Sequence, residues 1–160
     1  MPTSAVTRQD SQLVDAVLTA SRVLVGVAAK SLAEHESEVS LQQYRALVVL
    51  ASRGPQRPID LAEALGVEPS TVTRLCDRLA AKRLISRRHQ GQDRREVQLA
   101  LASHGRKIVE AVTTRRRAEI GRIVSSLAPG ERDRIVKAFT SFAQAAGEIP
   151  EEAWPRSWDL

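Results

Sequence analysis

Two short amphipathic runs meet at a tight corner in the middle of this chain, and no other feature limits its fold as much. In the first run Leu61, Ala62 and Leu65 recur at helical spacing behind Pro58. Proline suits a first helical turn because the amide hydrogen it lacks would be unpaired there. Gly66 supplies the left-handed residue that stops a helix, and Glu68 with Pro69 restarts the chain as N-cap and first helical residue. The second run, from about Pro69 to Lys82, sets Val72, Leu75, Cys76 and Leu79 on one side. Two helices joined by three or four residues containing a glycine have the spacing of a helix-turn-helix.

The residues beyond the corner sharpen the expectation. Leu84 to His89 and Glu96 to Leu101 read as strands, the second alternating Val97, Leu99 and Leu101 with polar or small neighbours. Between them lies a polar, basic tip, so the pattern predicts a hairpin wing attached to the helix-turn-helix. Upstream, Ser40 and Gln43 form a capping-box signature for a helix reaching about Ser52, ended by Gly54 and Pro55. A long helix from about Asp10 to His35 precedes it. Its apolar positions cover more than a narrow stripe, which predicts packing against something beyond its own next helix. Two more helices are expected over about Ser103 to Ser126 and Glu131 to Ala146, with Ile108, Val112, Ile120, Ile123 and Leu127 on one inner face and Ile135, Phe139, Phe142 and Ala146 on the other. The tail from Glu148 holds Trp154 and Trp158, and its pattern fits either docking on a neighbouring surface or a frayed end.

The chain has 160 residues, 42% of them hydrophobic but only 3% aromatic. A core built from Leu, Val, Ile and Ala favours helices, and the length suits one domain, 1–160. The fold class expected is therefore mainly α: a three-helix core plus hairpin wing over 40–101, flanked by helices over 10–37 and 103–147. Cys76 is the sole cysteine, which rules out an intrachain disulfide, and its inward register favours a buried structural thiol over a redox sensor. No unbroken apolar run approaches a membrane span and no signal-peptide pattern opens the chain, so a cytoplasmic protein without membrane association is expected. His35, His89 and His104 fit no metal-ligand spacing, and no phosphate loop or nucleophile elbow occurs. Neither a metal, a cofactor nor a catalytic residue is expected.

The charge becomes informative once located. Arg74 to Arg95 holds eight basic residues and two acidic ones, Asp77 and Asp93, a local charge of +6 within a formal net charge of +5. Sixteen basic and 17 acidic residues remain elsewhere, so the surplus is confined to one segment. That is the electrostatic footprint expected of a surface for phosphate. On the second helix of the corner, Ser70, Thr71, Thr73, Arg74, Asp77 and Arg78 turn outward, and hydroxyls with arginines can meet base edges and phosphates in a major groove. Arg94 and Arg95 at the hairpin tip suit a narrow minor groove. Each feature alone fits an ordinary solvated surface; their concentration in one segment favours binding. Arg115, Arg116 and Arg117 point in three directions along a helix and read mainly as solvated surface.

At this point the sequence resembles the MarR family of bacterial regulators over nearly the whole chain. The resemblance rests on element order and on three stretches: Leu61 to Val67, Ser70 to Leu79, and Asp93-Arg94-Arg95 followed by Val97 and Leu99. It implies that the flanking helices interlock into a homodimer, that Arg95 enters the minor groove, and that Asp77 and Asp93 orient the wing. It further implies a regulator, commonly a repressor, that binds a pseudo-palindromic duplex operator until a small aromatic or anionic effector binds between the dimer region and the reading heads, where Arg87 falls. The chain departs from the family pattern at Arg83, where glycine is usual. Its first helix also lacks the sensing cysteine of the family's redox branch, which argues against peroxide sensing. Two rivals stay open on sequence: a winged helix whose basic face binds an acidic protein, and a small enzyme using the interhelical cavity.

Overall fold

The structure, a computed structural model, describes residues 8–35, 37–89 and 97–155. The chain runs α1 (Arg8–Leu32), a 3-10 turn (Ala33–His35), α2 (Leu41–Arg53), α3 (Pro58–Leu65), α4 (Pro69–Ala81), β1 (Ile85–His89), β2 (Val97–Leu101), α5 (Ser103–Ser125), α6 (Pro129–Ala145) and a second 3-10 turn (Glu151–Ala153). Local chemistry explains most of these boundaries. Ser40 Oγ accepts the Gln43 amide at 3.2 Å while Gln43 Oε1 accepts the Ser40 amide at 3.0 Å, which closes the capping box. Gly66, at φ 65 and ψ 38, ends α3 in the left-handed region. Helix α4 ends in the same way but on Arg83, at φ 57. There the Leu84 amide reaches back to the Leu79 carbonyl and the Arg83 amide to that of Ala80, both at 2.9 Å.

Helices α2, α3 and α4 pack around Leu47, Leu50, Leu61, Val72 and Leu79, all shut off from solvent, and Leu99, Ile108 and Val112 close that core from β2 and α5. The strands pair antiparallel from Ile85↔Leu101 to His89↔Val97. One pairing was not expected: Gln56 bridges Leu99, donating at 2.9 Å and accepting at 2.8 Å, and so fastens the α2–α3 link to the wing sheet. Gly54 and Pro55 read as punctuation, and a single-residue bridge leaves no periodic trace beside them.

The outer helices correct several expectations. Phe139 and Phe142, expected on an inner face, both stand exposed, as does Ile123, and α6 buries none of its residues. Helix α1 likewise exposes Leu13, Val14, Leu18 and Val25 while burying Val27, Ser31 and Leu32 at its far end. These positions do share faces, but no described residue of the chain covers them. The helical stretch from α1 to His35 is also long and apolar enough to cross a membrane by length and composition alone. Asp15 and Arg22 interrupt any unbroken apolar run there, whereas averaging along the helix tolerates both. The Arg115–Arg117 run is less solvated than expected: Arg115 pairs with Glu34, and Arg117 meets Glu151 at 2.9 Å. Trp154 packs against the core cluster and donates its indole N–H to the Ile149 carbonyl at 3.0 Å, so the tail docks up to that point. Trp158 lies outside the described residues.

Candidate nucleic-acid interface

Helix α4 divides as its sequence requires. Val72, Leu75, Cys76 and Leu79 are buried. Ser70, Thr73, Arg74, Asp77 and Arg78 are exposed, and Thr71 is half-buried. Arg74 and Arg78 are four residues apart and so share one helical face; neither makes an ion pair with a described residue. The Thr73 hydroxyl donates to the Pro69 carbonyl at 3.1 Å. Glu68 provides no side-chain cap, but its carbonyl accepts the Thr71 amide at 2.9 Å and the Val72 amide at 3.2 Å, and Pro69 has no amide hydrogen to leave unpaired. The exposed face thus offers two free guanidinium groups behind small hydroxylic residues, on a helix whose other face is anchored in the core.

An ion pair that the sequence did not single out ties the first wing strand to this helix. Asp77 binds Arg87 of β1, bridging helix and hairpin across the outer surface. Arg95, which the family resemblance sends into the minor groove, lies outside the described residues, as do Arg94 and Asp93. Arg88 on the same strand is exposed. Beneath them the Cys76 thiol is pushed up to about 11, chiefly by burial, with Arg87 lowering it and Asp77 raising it. Such a thiol stays protonated and a poor nucleophile at neutral pH.

A cavity of about 340 Å³ is lined by residues that include Ala51, Leu101, Arg106, Val109, Thr113 and Trp154, with none from α4 or β1. Arg87 is not part of it; its guanidinium is engaged by Asp77 instead. Arg106 has no ion-pair partner among the described residues, whereas Arg117 on the cavity rim is held by Glu151. Among the described residues no cluster of His, Cys, Asp and Glu is placed to hold a metal ion.

Sequence reasoning missed a polar junction beside α4. Glu38 meets His35 Nδ1 and His104 Nε2 at 2.9 Å each, and Lys82 Nζ donates to the Glu38 carbonyl. The His35 bond above all, with a lesser contribution from that of His104, holds the Glu38 carboxyl below its usual range against desolvation. No periodicity links positions 66 residues apart, so only the fold brings His104 to Glu38.

Residues 39–97 match the sequence profile of the MarR family. Over 108 residues the chain is 35% identical to the HTH-type transcriptional repressor MdtR of Bacillus subtilis, an alignment spanning 68% of this chain and 70% of that protein. The chain belongs to the MarR family. The MarR resemblance extends well beyond the profile: the crystal structure of RV1404 from Mycobacterium tuberculosis superposes with a TM-score of 0.83 at 43% identity, covering 91% of this chain and 99% of that one. The transcriptional regulator Tm0710 from Thermotoga maritima gives 0.69 at 26% identity over 86% and 95%. As in other MarR family regulators, the architecture is a winged helix with long flanking helices.

Proposed function

We propose that this MarR family chain is a homodimeric, sequence-specific DNA-binding repressor of transcription that acts in the cytoplasm and catalyses no reaction of its own. The observation that carries the reading is the outer face of α4, where Arg74 and Arg78 stand exposed, with no ion-pair partner among the described residues, on a helix fixed from behind by Val72, Leu75 and Leu79. An α-helix fits a major groove, and free arginines there can serve base edges or phosphates. Ser70, Thr71 and Thr73 complete the reading surface, and Arg94 and Arg95 are assigned to the adjoining minor groove. Asp77 orients the wing through Arg87, with Asp93 at the tip.

The uncovered helices support dimerisation. An isolated 17-residue helix such as α6 is marginal in water unless its apolar face is packed. Val136, Phe139 and Phe142 on α6, with Leu13, Val14 and Leu18 on α1, supply faces for a second copy. A bilayer is the poorer cover for α1, because its C-terminal end is built into the protein core and Lys30 pairs with Glu119 of α5 at 2.9 Å. In this reading 10–37 and 103–147 form the dimer, and 40–101 reads DNA. The effector assigned to the cavity is a small aromatic anion, with Arg106 for the charge and Trp154 for the ring.

Selection of bound duplexes from a random pool tests the reading. An inverted repeat with half-sites about one turn, roughly 34 Å, apart is expected. Affinity for it falls steeply with salt as phosphate counterions are released. Arg74→Ala costs about 1–3 kcal/mol of operator binding. A monomer in sedimentation, or binding indifferent to salt, overturns the proposal.

A further inference from the structure

We propose that Glu38 is a positioning residue that sets the angle between the reading head and the dimerisation helices, and so the operator spacing the dimer accepts. This rests on the DNA-binding reading above.

The head joins the flanking helices through two chain crossings. One runs from the 3-10 turn after α1 to Ser40 at the start of α2; the other is Ala102, between β2 and α5. Any rocking of the head against the dimer helices must bend both. Glu38 lies in the first crossing, and its two carboxylate oxygens take different partners. Oε1 meets His35 Nδ1, in the last turn before the crossing, and Oε2 meets His104 Nε2, in the first turn beyond the second crossing. The main-chain carbonyl of Glu38 meanwhile takes Lys82, the residue that ends the reading helix α4. One residue therefore joins both crossings to the end of the helix that enters the groove.

The chemistry fixes the roles. An ionised carboxylate only accepts, so each ring nitrogen facing Glu38 must carry the hydrogen. His35 is largely buried, and its other nitrogen is shut off from solvent with no partner among the described residues. Its ring therefore has no second bond to exchange for the one to Glu38. The crossing is stiffened further by the amides of Glu38 and Val39, which both donate to the His35 carbonyl at 2.8 Å. Contacts as exposed as Glu38 and His104 add little to global stability. Their leverage lies in geometry, because a small rotation at the crossings is magnified at the far end of α4.

The test uses the full-length dimer and the selected operator, with its central spacer at natural length and lengthened or shortened by one base pair. One base pair rotates a half-site by about 35° and shifts it by about 3.4 Å. Wild type is expected to discriminate sharply among the three duplexes. Glu38→Ala is expected to lose about three- to tenfold of that discrimination by binding the altered duplexes relatively better, and Glu38→Gln, with one carbonyl oxygen for two rings, to fall between. His104→Ala, at an exposed ring, removes one arm without touching the core and is expected to relax spacing in the same direction. If the variants weaken all three duplexes by one common factor, or leave the discrimination unchanged, Glu38 is merely structural and the proposal fails. Wild type that binds no duplex at all instead defeats the DNA-binding reading itself.

Discussion

Gly105 lies so close under Leu84 that a β-carbon on it would meet the Leu84 carbonyl oxygen at 2.2 Å and Leu101 Cδ1 at 2.9 Å. That carbonyl cannot easily retreat, because it accepts the Ala102 amide at 3.0 Å where β2 passes into α5. Gly105→Ala is therefore expected to destabilise the protein by about 1–3 kcal/mol through overpacking against backbone, although alanine is the better helix former. Chemical denaturation measures this directly. Unchanged or increased stability would show that the close approach is absent in solution.

Gly105 also marks where the sequence stops being legible. Glycine in a first helical turn looks like a weak helix residue, and the reason for it belongs to Leu84, 21 positions away. The corner around Gly66 could be read because every part of it is local: a glycine at a left-handed site, a proline at a first helical position and apolar residues at helical spacing. The inward face of α4 was legible for the same reason. The partner of Asp77 was not, since Arg87 lies ten positions on, in β1, and no local pattern selects it from the other basic residues of that segment. Helices α1 and α6 show a third case. Their apolar faces were visible as periodicity, but periodicity does not say whether the same chain or another covers them.

Arg83 provides a second test. A non-glycine residue at φ 57 carries strain of about 1 kcal/mol that glycine escapes. Arg83→Gly is expected to raise unfolding free energy by about 0.5–1 kcal/mol after allowing for glycine's greater freedom in the unfolded chain. Arg83→Ala, which keeps a β-carbon, should bring no such gain. Equal stability of the glycine and alanine variants in urea would rule out strain at this site.

The Asp77–Arg87 pair is exposed, with 57% and 45% of the two side chains accessible. Its contribution to folding is therefore small, about 0.5 kcal/mol. Its effect should appear in binding, because it sets the wing against α4. Asp77→Asn is expected to lower operator affinity about three- to tenfold with little change in melting temperature. A double-mutant cycle with Arg87→Gln isolates the coupling. Additive losses in operator binding would mean the two side chains act separately.

Cys76 is 2% exposed, and burial pushes its thiol up to about 11. A thiol reagent at pH 8 meets neither thiolate nor access, so labelling of the native protein is expected to proceed only as fast as local or global opening allows. In denaturant the same thiol should react at once. Rapid labelling of the folded protein, or loss of operator binding on brief mild oxidation, would reveal an accessible redox thiol.

Glu38 gives a pH dependence with a definite sign. Its carboxyl has an ordinary value of 4.5 when unpartnered and lies lower in the fold, first through His35 and then, beyond a smaller desolvation, through His104. A lowered folded value means that the native state favours the ionised form. The associated stability is present above the unfolded value and is lost as pH falls through the folded one. Wild type and Glu38→Gln, unfolded in urea at intervals from pH 6 to pH 3, are expected to differ by a constant amount at the upper end. The wild-type advantage should then shrink below about pH 4.5 as protonation removes the charge that Gln lacks throughout. A gap of the same size at pH 3 and pH 6 would show that the carboxylate's charge contributes nothing to the junction, and that only the shape of the side chain matters there.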